Sequence, residues 1–288
     1  MIIITTQCFF PKIGGIESLM TGMANAMSCA DKDVLVLADG KKIADDENKK
    51  YTIKRFSGWK PYRRRRKASY IKKLIKENNI EAIYADSWKS IEYLKNQKIK
   101  IIVLAHGTEI PKKYFDRIYA FFNIKKRRII KSYSHSEKII ANSVYTRDLM
   151  IASLNISSKK IRVIHPGIDI YQDFINKEDI DNIRNMIKDS SPVLSTLARV
   201  EKRKGHKFVI NAILKLKSKF PNMLYLIAGK GPYLGEIKRY VKTLRLENHV
   251  MFLGWVTEPE KSLVLQNSDI FIMTPTSVGE SVEGFGMV

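Results

Sequence analysis

Arg199 and Lys204 stand in the stretch STLARVEKRKG, directly after the β-branched run Val193–Ala198. An arginine offers a planar fork of donors and a lysine a compact charge, a pair suited to neutralising a diphosphate. Solvated loop charges have the same composition, so the pair alone leaves both readings open. Glycines recur at comparable places: Gly14 and Gly15 after the first apolar run, Gly229 and Gly231 in AGKGP, and Gly254 in FLGWV. A glycine there lets main chain approach a ligand, and a following helix N-terminus attracts phosphate. The spacing of Gly14 and Gly15 is not a dinucleotide fingerprint, and a tight turn without a ligand fits them as well. Glu283 lies in SVEGFGMV, where a carboxylate accepts from sugar hydroxyls and Gly284 and Gly286 free main-chain N–H groups for phosphate or sugar oxygens. His106 closes the run IIVLAH and precedes Gly107. A lone histidine is more often a structural hydrogen bonder than a catalyst, but a strand's carboxyl edge suits either role.

Several chemistries are set aside. Asp31 with Asp33, and Asp179 with Asp181, have Asp-x-Asp spacing but not the setting of a metal–diphosphate site. There is no Cys/His cluster at zinc spacing, no G-x-x-x-x-G-K-[ST] loop and no G-x-S-x-G elbow. Cys8 and Cys29, the two cysteines, suggest no disulfide framework, and a reducing cytosol is expected. No apolar run reaches the roughly 18 residues of a spanning helix. The opening MIIITTQCFF lacks the basic stretch of a secretory leader.

These residues need elements to position them. Short apolar runs alternate with longer amphipathic ones through the 288 residues. Strands are expected at Ile2–Thr6, Val34–Ala38, Thr52–Phe56, Ala82–Ala85, Ile101–Ala105, Lys138–Asn142 and Ile161–His165. Helices are expected at Ile16–Ser28, Arg65–Asn78, Trp88–Asn96, Lys112–Tyr133 and Val144–Leu154. The rhythm breaks in the polar stretch 171–191, read as a helix and connector. It restarts with strands at Val193–Ala198, Leu224–Ala228, Val250–Leu253 and Asp269–Thr274, and helices at Lys204–Phe220, Tyr233–Leu246 and Pro259–Gln266. Such alternation implies parallel sheets covered on both faces. The expectation is an α/β protein of two Rossmann-like doubly wound domains, 1–170 and 192–288. Ligands of such sheets bind beyond the carboxyl ends of the strands.

The formal net charge is +22. Residues 1–170 carry 34 basic and 16 acidic side chains, against 17 and 13 in residues 171–288. The densest stretch, Lys54 to Lys76, contains Arg63, Arg64, Arg65, Arg66, Lys67, Lys72 and Lys73 and no acidic residue. Trp59, Tyr62 and Tyr70 interleave with these charges. That mixture suits an anionic lipid interface. It would also suit nucleic acid, but no nucleic-acid motif accompanies it and no such partner is expected.

Taken in order, these segments resemble the family 4 glycosyltransferases, of GT-B fold. FFPKIGGIESLMTGMANAM, LAHGTEI, IIANSVYTRDLM, IRVIHPGID, LARVEKRKG, LIAGKGP, VMFLGWV and SVGESVEGFG follow the family's sequence of motifs. The resemblance implies an acceptor-binding first domain and a nucleotide-sugar-binding second domain. It implies transfer of a sugar from a UDP- or GDP-sugar, GDP-mannose among them, with retention of configuration and without metal or other cofactor. The acceptor would be a lipid-linked or cell-envelope glycan at the inner face of the cytoplasmic membrane, as in lipopolysaccharide assembly. Carried over by motif, Gly14 and Gly15 would approach the donor's phosphate and sugar, and His106 would contact the sugar near the reaction centre. Arg199 and Lys204 would hold the diphosphate and stabilise the leaving group's charge. Glu283 would bind sugar hydroxyls, with main-chain contacts from Phe285, Gly286, Met287 and Val288, and Gly254 would neighbour the base. The family's second motif glutamate falls past Val288, so a chain cut short in its second domain is expected, and a remnant without activity is the alternative reading.

Overall fold

The computed structural model describes residues 1–12, 14–94, 97–110, 124–167 and 177–277. The chain divides into two compact units, one built on Met1–Asp169 and the other on Ile170–Glu283.

The first unit is organised by β1 (Ile2–Thr5), whose four residues are all buried. Its neighbours are β2 (Val34–Asp39), β3 (Thr52–Phe56), β4 (Ala82–Ala85), β5 (Ile101–Ala105), β6 (Lys138–Ala141) and β7 (Ile161–Val163). All pair in parallel, in the order β3-β2-β1-β4-β5-β6-β7. Successive side chains of a strand point to opposite faces, so a strand covered on both sides is mainly apolar along its length. Ile4, Val34 and Val36 accordingly pack with Met20 and Ala24 of α1 (Gly15–Cys29). Ile3, Leu35 and Leu37 share the opposite core with Ala68 and Ile71 of α2 (Lys60–Glu77) and with Trp88 and Ile91 of α3 (Trp88–Ile91). Ile129 and Tyr133 of α4 (Ile124–Ser134), and Met150 and Leu154 of α5 (Val144–Leu154), complete that layer.

Two helices of the first unit differ from expectation, and residues 112–123 of the helix expected at Lys112–Tyr133 lie outside the described residues. α2 begins at Lys60 rather than Arg65, because Pro61 takes the first turn, where its missing N–H costs nothing. α3 ends at Ile91, well short of Asn96.

The second unit holds β8 (Val193–Leu197), β9 (Leu224–Ala228), β10 (Val250–Gly254) and β11 (Ile270–Phe271), parallel and in the order β10-β9-β8-β11. β11 is shorter than the expected Asp269–Thr274. α7 (His206–Leu216) and α8 (Leu234–Thr243) cover one face through Val209, Ile210, Ile213, Ile237 and Val241. α9 (Glu258–Gln266) covers the other through Leu263 and Val264. α6 (Lys177–Ile187) lies in the stretch expected to act as a connector, yet its Ile183 is buried against this same face beside Val193 and Leu197. That helix is part of the second unit's core.

In each unit the strand order reverses direction once, between β1 and β4 and between β8 and β11. A reversal opens a crevice beyond the carboxyl ends of the two strands, the place where doubly wound sheets bind ligands.

Candidate functional sites at two topological switch points

At the β1/β4 crevice the anchoring residue is Asp86, 2% exposed. Its Oδ2 accepts from the Thr6 hydroxyl at 3.0 Å and from the Gln7 main-chain N–H at 2.7 Å, and its Oδ1 accepts from the Ser90 hydroxyl at 2.6 Å. The carboxylate thereby ties the end of β1 to the start of α3. His106 sits at the end of β5 with its Nε2 2.9 Å from the main-chain oxygen of Asp86. A carbonyl oxygen only accepts, so Nε2 carries a proton and donates. The main-chain N–H of His106 donates to Glu109 Oε1 at 2.8 Å. The buried Tyr133 hydroxyl donates to the same oxygen at 3.3 Å, and its pKa is raised by burial and by Glu109.

The basic run of α2 divides around this crevice. Lys67, 1% exposed, donates from Nζ to the main-chain oxygen of Thr6 at 2.7 Å and pairs with Asp39 Oδ1 at 2.7 Å. Burial lowers its pKa in spite of Asp39. Arg63 pairs with Asp39 Oδ2 at 2.6 Å, and Arg64 reaches Glu92 and the Gln7 side-chain oxygen at 3.4 Å each. These three were expected on an anion-binding surface. Lys67 is instead an interior residue, and Arg63 and Arg64 are engaged with acidic partners under the helix. The reason is geometric: residues three and four apart share a helix face, so 63, 64 and 67 face the sheet together. Arg65, Arg66 and Lys73 are exposed, with Lys72 half-buried. Trp59 and Tyr62 are exposed beside them.

Gly14 caps α1 in extended backbone and Gly15 is its first residue. A Cβ at Gly14 would meet only the far end of the Glu17 side chain, so the fold does not demand glycine there. The preceding loop is fixed from outside. Arg55 of β3 donates to the Phe10 carbonyl at 2.8 Å while forking onto Asp46 at 2.6 and 2.7 Å. Both members of that pair are buried, and Arg55 lowers the Asp46 pKa.

At the β8/β11 crevice Arg199 leaves the end of β8 with its side chain 75% exposed, steadied by Glu201 Oε1 at 3.0 Å. Glu201 Oε2 holds Arg203 at 2.9 Å. Lys204, 8% exposed, ends a 3-10 turn (Lys202–Lys204). Gly205 follows at φ 75°, and a Cβ there would overlap the carbonyl oxygen of Thr274. Thr274 donates from its hydroxyl to Gly205 O at 3.1 Å, and Thr276 N–H donates to Arg203 O at 2.7 Å. The loops on the two sides of the switch point are thus bonded to each other.

The other expected glycines have related causes. A Cβ at Gly229, φ 144°, would overlap the Ala198 carbonyl, and one at Gly231 the main chain of Val200. Gly254 takes φ 72°, a left-handed backbone that favours glycine. Val200 N–H donates to Lys230 O, and Gly229 N–H donates to Gly254 O. These glycines let three strand-end loops approach one another.

Beneath them runs a directed relay. Thr196 donates to the Ile272 carbonyl, Tyr225 donates to Thr196 Oγ1 at 2.8 Å, and His206 Nδ1 donates to the Tyr225 hydroxyl at 3.1 Å. Burial first, then Lys204, pushes the His206 pKa down to about 4. Glu283, Phe285, Gly286, Met287 and Val288 lie outside the described residues. Asp86, Glu109, Glu201, Thr274 and His206 were not singled out in the sequence. The signal that could have found Asp86 is the one that found Arg199: a charged residue directly after a strand.

Residues 13–172 match the family model described as Glycosyltransferase Family 4. The chain belongs to glycosyltransferase family 4. Residues 177–288 match a second model, Glycosyl transferases group 1. Among family relatives, the GDP-mannose-dependent alpha-(1-6)-phosphatidylinositol monomannoside mannosyltransferase of Mycolicibacterium smegmatis is 23% identical over 99% of this chain and 76% of its own length. The alpha-monoglucosyldiacylglycerol synthase of Streptococcus pneumoniae is 26% identical over 52% of this chain and 35% of its own. Among solved structures, Anabaena Alr3699/HepE in complex with UDP-glucose aligns with TM-score 0.72 at 19% identity, over 99% of this chain and 76% of that one. The expected α/β, GT-B fold class agrees with these neighbours. Among the described residues no group of three or more His, Cys, Asp or Glu side chains is placed to hold a metal ion, and no helix is long and apolar enough to cross a membrane.

Proposed function

We propose that this family 4 glycosyltransferase moves a sugar from a UDP- or GDP-sugar to a lipid-linked or cell-envelope glycan acceptor, with retention of configuration and without a metal. The observation that carries the reading is the β8/β11 crevice. There an exposed arginine and a lysine flank a loop bonded to the opposite strand end, in a fold whose ligands bind at that place. Arg199 and Lys204 would hold the diphosphate and offset the charge that develops as the sugar departs, work that in metal-dependent enzymes falls to a divalent cation. Acting with them, Glu283 and the main chain of Phe285 to Val288 would take the sugar. The first unit would take the acceptor, with Gly14 and Gly15 approaching the donor's phosphate and sugar and His106 contacting the sugar near the reaction centre. GDP-mannose is favoured by the mannosyltransferase relative, and UDP-glucose by the Anabaena complex.

Exposed Trp59, just before α2, and exposed Tyr62, Arg65, Arg66 and Lys73 on α2 support docking on an anionic inner membrane face. Calorimetric titration with UDP- and GDP-sugars tests the donor reading. Binding is expected for the unsubstituted chain and lost in the Arg199→Ala, Lys204→Ala double variant. A folded chain that binds none of them overturns it. The anomeric proton of the product, read by NMR, and turnover in EDTA test retention and metal independence.

A further inference from the structure

Between α2, α3 and α4, five cations share little negative charge. Arg64 and Arg128 both converge on the buried carboxylate of Glu92. Lys89 and Arg128 lie over the ring of Trp88, at 5.8 Å each from its centroid. Lys89 has no hydrogen-bond acceptor among the described residues. Burial, then the charges of Arg64 and Lys125, holds its pKa below the ordinary lysine value, with Glu109 pulling the other way and Lys60 adding to the repulsion. Among the described residues, three buried donors of this same group lack an acceptor: Gln7 Nε2, Arg64 Nε and Trp88 Nε1. Gln7 is bonded through its main chain to Asp86, so the group adjoins the β1/β4 crevice.

Like charges gathered at low dielectric repel, and unmet buried donors each cost free energy. A doubly charged oxyanion offsets both, since its oxygens accept from guanidinium, ammonium, amide and indole N–H together. We infer that Lys89, Arg64, Lys125, Gln7 and Trp88 form a phosphate subsite, which takes a phosphate or diphosphate carried by the acceptor. This deepens the acceptor half of the function proposed above and rests on it.

The test titrates inorganic pyrophosphate into the Arg199→Ala, Lys204→Ala double variant, whose donor crevice is disabled. Saturable binding is expected, weakened about tenfold by Lys89→Gln or by Lys125→Gln and unchanged by Lys73→Gln. No binding by the folded double variant overturns the subsite, as does an affinity indifferent to both substitutions. Lys125 is exposed, so Lys125→Gln carries the test if Lys89→Gln fails to fold. Phosphatidylcholine vesicles with and without phosphatidic acid identify the source. A Lys89→Gln loss on the acidic vesicles assigns a lipid phosphate, and a loss confined to pyrophosphate assigns a soluble one. Nucleotide-sugar binding by the unsubstituted chain is read separately, so failure of one site is distinct from failure of the other.

Discussion

His106 donates from its ring Nε2 to the main-chain oxygen of Asp86, 2.9 Å away, while the Asp86 carboxylate accepts from Thr6, Gln7 and Ser90. One residue thus fixes the tautomer of the histidine and the end of the central strand. Asp86→Asn replaces an acceptor oxygen by a donor amide facing other donors. It should cost about 2–4 kcal/mol in urea unfolding and lower turnover further than His106→Gln does at matched stability. A stability within experimental error of the unsubstituted chain would show that the carboxylate does not hold the crevice together.

Glycine substitutions should sort by cause. Gly205→Ala places a Cβ on the Thr274 carbonyl in a left-handed backbone, and a loss of about 2–4 kcal/mol is expected, with weakened nucleotide-sugar binding. Gly14→Ala should stay within about 0.5 kcal/mol, since its backbone is extended and the Glu17 side chain can swing away. Thermal melts of the two variants, side by side, decide the matter.

The buried His206 gives the second unit a pH dependence of known sign. Its folded pKa is about 4 against an ordinary 6.5. Between those values the unfolded chain binds the extra proton, so stability falls as pH drops from 6.5 toward 4 and levels off below. The full difference is about 3 kcal/mol. His206→Gln keeps a donor for the Tyr225 hydroxyl and removes the titration. Unfolding free energies of the two proteins, measured across pH 4–7, should therefore converge toward acid.

The two populations of cations on α2 predict opposite phenotypes. Lys67→Met strips Asp39 and the Thr6 carbonyl of a buried partner, and should cost about 3 kcal/mol without a direct effect on vesicle binding. Arg65→Ala with Arg66→Ala should leave stability nearly unchanged and weaken sedimentation with anionic vesicles. Equal binding of the unsubstituted chain to neutral and anionic vesicles would remove the membrane reading altogether.

Strand positions were legible because the covered strands are short, mainly apolar runs, as in Ile2–Thr5 and Leu224–Ala228. The start of α2 was not, because its charges mask the pattern, and only Pro61 marks the first turn. Arg199 and Lys204 were legible as charges following a strand, and the structure places both at the carboxyl edge of the β8/β11 crevice. What these glycines do was not legible: Gly229 faces Ala198, and Gly205 faces Thr274, across gaps in sequence that only the sheet order closes. Asp86 binding Thr6 and Lys67 binding Asp39 are of the same kind, since neither spacing carries a local signal.

Arg55 belongs to the outermost strand of the first sheet, yet it grips the Phe10 carbonyl beside the central strand while locked onto Asp46. The rim of the β1/β4 crevice is therefore shaped from the periphery inward. Chimeras that exchange only the residues facing the substrate would import side chains onto a rim held in its old contour. Under the acceptor role proposed for the first unit, grafting a new preference calls for moving the segment from Ala44 to Phe56 together with the loop it anchors.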